Sequence, residues 1–161
     1  MNASWKEPAV RWIRMVCALA LLCGCSPAPP EETAAAVGRV EISWLEEDGD
    51  PVRDPQWGAV LLPDAAAWQE WVDALPADMR EARARELATV SLEDSVKVVG
   101  VWGQCREVSS IWRTGPGVLE FRITPLDDQP VECVWAPWRV EVWTVQLEAA
   151  GADRDAVELV E

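Results

Sequence analysis

The sequence predicts an α+β domain: a small antiparallel β-sheet or sandwich with one amphipathic helix packed on it. Three observations lead there. Beyond residue 38 most apolar residues alternate with polar ones at the two-residue period of a half-buried strand. One stretch, 64–75, carries the 3.6-residue period of a helix instead. After residue 90 the strand-like runs follow one another through short turns, which favours antiparallel meanders over helical crossovers.

In chain order, the fold is preceded by a segment that does not belong to it. Residues 1–14 carry Lys6, Arg11 and Arg14 against one acid, Glu7, and residues 15–24 are uncharged and mostly apolar. That is the pattern of a secretory signal. Ten helical residues reach only about 15 Å, half of a bilayer core. Leu22-Cys23-Gly24-Cys25 closes the run and resembles the bacterial lipobox, an apolar residue and two small ones before a cysteine that receives diacylglycerol. The resemblance implies lipidation at Cys25, cleavage before it and, often, acylation of its freed amine. Two acyl chains anchor stably where one is marginal. The alternative is ordinary cleavage near Gly24 and release of a soluble protein.

Residues 25–37 then read as a lipid-anchored tether, since Ser26 to Val37 holds three prolines and two acids and little for a core. The single domain is expected over 38–161. Val40, Ile42 and Trp44 alternate with Glu41 and Ser43 as a first strand. Asp48, Asp50 and Asp54 fall in a turn-rich stretch without the twelve-residue spacing of an EF-hand calcium loop. "WGAVLL" is a second strand, and Asp64 is placed to cap a helix whose Trp68, Trp71, Val72 and Leu75 share one face, ending at Pro76. Asp78 to Ala88 is helix-prone but poor in large apolar residues, so it reads as a surface element or a connection. Strands are expected in "DSVKVVGVWG", "REVSSIWRT", "VLEFRIT" and "WRVEVWTVQL", and a short edge strand in "AVELVE". The phase slip between Val142 and Trp143 suggests a bulge there.

From about Thr89 to Leu147 the order of features resembles the C-terminal domain of PrcB-type protease-stability proteins. The shared features are the turn "SLEDS", a valine-rich strand ending in Gly103, a strand pair around a glycine turn, and a proline before the last strand. "AAAWQEWVDALP" resembles the helix that family places upstream. Where the family has Thr-Gly-Gly-Tyr after the strand glycine, this chain has Gln104-Cys105-Arg106-Glu107. The resemblance implies a β-rich, non-catalytic domain on exported proteins.

The composition narrows the function. Formal net charge is −14, and removing the signal's three bases and one acid takes it to −16, against nucleic acid and anionic headgroups as partners. Of five cysteines, Cys17 and Cys23 leave with the signal and Cys25 takes the lipid. Cys105 and Cys133 remain, an even pair in an oxidising setting. Bridged, they close about 29 residues and stabilise the fold by about 3.6 kcal/mol in the loop-entropy account; the alternative is two buried thiols.

With no histidine, serine- and cysteine-type triads lack their usual base. Lys97, the only lysine after the signal, reads as an outward, solvated strand residue. The acids read as solvated surface, no glycine-rich phosphate loop follows a strand, and no CxxC offers a zinc site. No catalytic residue, metal or cofactor is therefore expected. Eleven tryptophans against one phenylalanine and no tyrosine are the excess. Nine follow the signal, more than a core of this size seats; one reading is that they fill positions where other sequences use tyrosine or phenylalanine, the other that some stay outside, where aromatics suit a protein interface or a sugar platform. Trp135 and Trp138 flank Ala136-Pro137 just after Cys133 and form the candidate binding edge. The expectation is a lipid-anchored protein on the extracytoplasmic side of a bacterial membrane, with a non-catalytic domain that binds a partner protein of the envelope. A carbohydrate-binding module is the alternative.

Overall fold

A computed structural model of the chain describes residues 34–46, 58–127 and 137–160, all within one compact unit, Glu32–Glu161. Its eight strands are β1 (Ala35–Val37), β2 (Arg39–Glu46), β3 (Gly58–Leu62), β4 (Ser95–Gly103), β5 (Glu107–Gly115), β6 (Val118–Pro125), β7 (Trp138–Gln146) and β8 (Glu158–Val160). Helices α1 (Ala65–Ala74) and α2 (Ala77–Leu87) lie between β3 and β4, and a single turn, α3 (Leu147–Ala150), follows β7. The strands form two four-stranded sheets in the orders β1-β5-β6-β8 and β2-β7-β4-β3. The α+β class is as expected, and every pairing is antiparallel except β6 with β8, which is parallel.

The β2-β7-β4-β3 sheet is the middle layer. Its one face packs Ile42, Trp44, Leu62, Val99, Val140 and Val142 against Trp68 and Leu75 of α1 and its C-cap, and Met79 and Leu87 of α2. Its other face sets Val96, Val98, Trp143 and Val145 against Ile111 of β5 and Leu119 of β6. Two cores on opposite sides of one sheet bury a central strand on both faces, so β4 and β7 read as near-continuous apolar runs. That accounts for the phase slip at Val142 and Trp143. The β7–β4 register runs unbroken from Trp138 to Gln146, and no bulge lies there. The bulge is in β2 instead, where the register jumps between Val40 and Ile42 and leaves Glu41 as the extra residue.

Helix α1 starts where the sequence places it: the Asp64 carboxylate accepts the Ala67 N–H at 2.9 Å. Helix α2 is more than a connection, because Met79 and Leu87 insert into the helix-side core, so two helices pack on the sheet. Ala35–Val37, expected as the end of a tether, is a strand. Ala35–Val37 pair with Ile111, Trp112 and Arg113 of β5, and Val37 packs on the inter-sheet core. The strand's own residues, Ala35, Ala36 and Val37, carry neither proline nor charge. Gly38 then carries the chain from one sheet to the other at φ +81°, where a Cβ would lie 2.9 Å from the Thr144 carbonyl oxygen. Gly100 serves a close approach of another kind. The Phe121 ring of the facing sheet occupies its Cβ position, 2.2 Å from Cζ, and packs on Trp102 at 5.7 Å between centroids. Asp48, Asp50 and Asp54 lie outside the described residues.

Candidate functional site

Of the aromatic edge expected from the sequence, Trp138 lies among the described residues. Trp138 opens β7, half-buried, opposite Gly103 of β4 and Glu46 of β2. The Gln104 N–H donates to the Pro137 carbonyl at 2.8 Å, tying the residue before Trp138 to the β4–β5 turn. Cys105, in that turn, is disulfide-bonded. Its expected partner Cys133, like Cys25 and Trp135, lies outside the described residues. Glu107 fixes the turn by accepting the backbone N–H groups of Cys105 (2.7 Å) and Arg106 (3.0 Å). Those donors hold its carboxyl below the ordinary glutamate value. None of the seven described tryptophans is fully exposed: Trp44, Trp68, Trp102 and Trp143 are buried, and Trp71, Trp112 and Trp138 are half-buried. Trp112 is covered by the Arg122 guanidinium, 4.9 Å from its centroid, which Glu120 binds through both oxygens.

A polar network runs inward from this edge on the sandwich side of the middle sheet. Arg139 donates to Gln104 (2.6 Å) and to Ser43 (2.8 Å). The Glu141 carboxylate accepts from Ser43 (3.3 Å), from the Trp143 indole N–H (3.2 Å) and from the Ser109 hydroxyl of the facing sheet. Leu45, opposite Arg139, and Ile123, opposite Ser109, each keep 40 % exposure.

The helix side holds a second polar centre. Lys97, expected in solvent, is 1 % exposed. The correction has a plain cause: a strand covered on both faces has no outward direction to give it. Its ammonium donates to Glu41 Oε2 at 2.8 Å and Thr144 Oγ1 at 2.7 Å, and the Thr144 hydroxyl donates to the same Glu41 oxygen. Thr144 faces Lys97 directly across the β4–β7 ladder, and Glu41 reaches both because the bulge turns it off the alternation. Burial opposes ionisation of Glu41. The hydrogen bonds from Lys97 and Thr144, with the charges of Lys97 and Arg39, outweigh it and hold its carboxyl below the usual value.

These three residues form the floor of a polar cavity of about 300 Å³ whose rim is Arg39, Gln146 and the loop 91–95. Glu41 also borders a neighbouring hollow of about 410 Å³ against the end of α2, at Arg85, Glu86 and Thr89. Arg154 makes the rim rigid. Its guanidinium donates to the carbonyl oxygens of Leu92 (2.8 Å), Ser95 (2.6 Å) and Pro63, and the Leu147 N–H bonds the Asp94 carbonyl at 2.9 Å. Asp94 is thereby kept at φ +50°, a left-handed conformation that aspartate tolerates better than most residues.

Sequence reasoning missed this centre, and the available signal was one lysine inside a run of valines. Among the described residues no group of three or more acids and cysteines is arranged to hold a metal ion, and no helix is long and apolar enough to cross a membrane. The chain matches no family model, no curated protein and no solved structure.

Proposed function

We propose that this is a lipid-anchored protein of the bacterial cell envelope. Acylated at Cys25, it holds a non-catalytic domain at the extracytoplasmic membrane surface to bind a partner protein. The lipobox-like Leu22-Cys23-Gly24-Cys25 after an apolar run supports the anchor. One observation carries the binding reading: the end of the middle sheet that bears Trp138 is fastened on both sides. Pro137 is bonded to Gln104, Trp138 is paired with Gly103, and Cys105 beside them is disulfide-bonded. An aromatic held on a stiffened edge loses little entropy when a partner covers it, which is how interface anchors gain their affinity. Trp135, placed by the sequence in the same short loop, and a bridge from Cys105 to Cys133 belong to this proposal. The protein partner is favoured over a glycan because no exposed tryptophan platform occurs among the described residues.

Crosslinking and mass spectrometry on intact envelopes test it, comparing the native chain with Cys25→Ser and Trp138→Ala. One envelope protein should be captured by the native chain and reduced about tenfold or more with Trp138→Ala, the size of an interface hot spot. It should fall with Cys25→Ser because the chain leaves the membrane. Equal capture by native chain and Trp138→Ala removes the edge, and identical fractionation of native chain and Cys25→Ser removes the anchor.

A further inference from the structure

The cavity over Lys97 lies toward the end of β7 remote from Trp138, and its chemistry points to a ligand independent of any partner at that edge. We propose that it binds a small zwitterion, a free α-amino acid.

The floor sets the first requirement. An ammonium has three donors. Lys97 uses two, on Glu41 Oε2 and Thr144, and its third N–H makes no hydrogen bond to a described residue. Glu41 receives both of its hydrogen bonds on Oε2, and its Oε1 accepts none from a described residue. Side by side, the floor thus offers a donor of positive charge and an acceptor of negative charge. An ion pair this deeply buried stabilises a fold only when its remaining donors and acceptors are met.

The charges around the cavity set the second requirement. Arg39 and Lys97 face Glu41, Glu93 and Asp94. A simple anion reaching Lys97 meets the Glu41 carboxylate and a domain already rich in acids. A simple cation reaching Glu41 meets Lys97. A ligand carrying both charges on neighbouring atoms escapes both repulsions: its carboxylate takes the Lys97 N–H and Arg39, and its ammonium takes Glu41 Oε1 and the rim acids. The volume, about 300 Å³, is at the small end for ligand pockets, and no aromatic side chain lines it, which disfavours sugars and lipids. The rim needs no reordering on binding, because Arg154 and Leu147 already hold the loop 91–95 by its carbonyl groups.

Calorimetric titration of the full chain in detergent, with glycine, L-alanine, L-glutamate and L-lysine, tests this against acetate, methylamine and glucose. At least one amino acid should saturate with Kd below about 1 mM. Acetate and methylamine, each half of the ligand, should bind about tenfold more weakly or worse, and glucose not at all. Lys97→Met should abolish binding. Because that variant touches the core, the exposed rim is tested separately: Glu93→Gln with Asp94→Asn should keep the melting temperature and weaken the amino acid by about three- to tenfold. The proposal is overturned if no amino acid saturates by about 10 mM, if acetate or glucose binds as tightly, or if the rim variant folds and binds unchanged.

Discussion

Strand β7 carries two polar residues three positions apart, one buried and one half-buried, on opposite faces and in opposite circumstances. Thr144, on the helix side, belongs to a charge pair: Lys97 at 1 % exposure against Glu41 at 16 %. Glu141, on the sandwich side, is bonded by neutral donors alone, Ser43, Ser109 and Trp143. On the helix side, packed against α1 and α2, Lys97 is almost wholly buried, so its charge needs an opposite charge in contact. On the sandwich side Glu141 is only half-buried and its neighbours Leu45 and Ile123 are exposed, so solvent can do part of that work. Depth decides which kind of partner a polar group requires, and the two ends should differ most when a partner is removed.

The largest effect is expected at Lys97. Lys97→Ala strands the Glu41 carboxylate and opens a cavity, and should cost about 3–5 kcal/mol in urea unfolding. Lys97→Met combined with Glu41→Leu should recover most of that loss, because a buried ion pair seldom outperforms apolar groups of similar shape. A cost below about 1 kcal/mol for Lys97→Ala would mean a solvated ammonium, and the contrast between the two faces would disappear. Acid offers a second route to the same pair. The Glu41 carboxyl is held below its ordinary value in the fold, so its contribution is complete above the unfolded value and drains away as pH falls through the folded one. The stability gap between native chain and Glu41→Gln should therefore be constant near neutrality and narrow below about pH 4.5.

Arginines sharpen the comparison at the next scale. Arg154 donates to three carbonyl oxygens that fasten the cavity rim to the start of α1, whereas Arg106 pairs with Asp127 at 44 % and 38 % exposure. Arg154→Ala should cost about 2–3 kcal/mol, from carbonyls left without a charged donor. Arg106→Ala should cost at most about 1 kcal/mol, as exposed pairs do. Equal costs at the two sites would mean that the rim is not clamped.

The elements whose partners are local were legible in the sequence. The alternation in "VLEFRIT" gave β6, and Asp64 with Trp68, Trp71, Val72 and Leu75 gave α1. Illegible were the features set by what lies on the far side of a strand. Val40 was expected inside with Ile42 and Trp44 but is 38 % exposed, because Glu41 is a bulge residue and the alternation restarts after it. Lys97 looked outward for the same reason that Val142 and Trp143 looked out of phase: one sequence cannot show that a strand has two covered faces. The site was hidden by distance along the chain. Glu41 meets Lys97 across 56 positions and Thr144 across 103, and no local spacing encodes such a meeting. Of the expected aromatic edge only Trp138 is among the described residues, and the closeness of Trp135 and Trp138 in sequence does not reveal that Trp138 would be half-buried.

The smallest expected effect lies at Glu141 itself. Glu141→Gln keeps the length and one carbonyl oxygen, which in the place of Oε2 can keep both the Trp143 N–H and the Ser109 hydroxyl, while the new amide takes the place of Oε1 beside Ser43, whose oxygen can accept. Ser109 and Ser43 are hydroxyls that rotate to suit. The exchange should cost about 1 kcal/mol, the net worth of a single hydrogen bond. Ser109→Ala should cost about the same, because Glu141 retains two donors. Substituting both should cost less than the two losses together, since they share one contact. If Glu141→Gln instead costs as much as Lys97→Ala, the sandwich side excludes water as thoroughly as the helix side does. Depth would then no longer separate the two faces of β7, and the neutral donors would have to be credited with holding a fully buried charge.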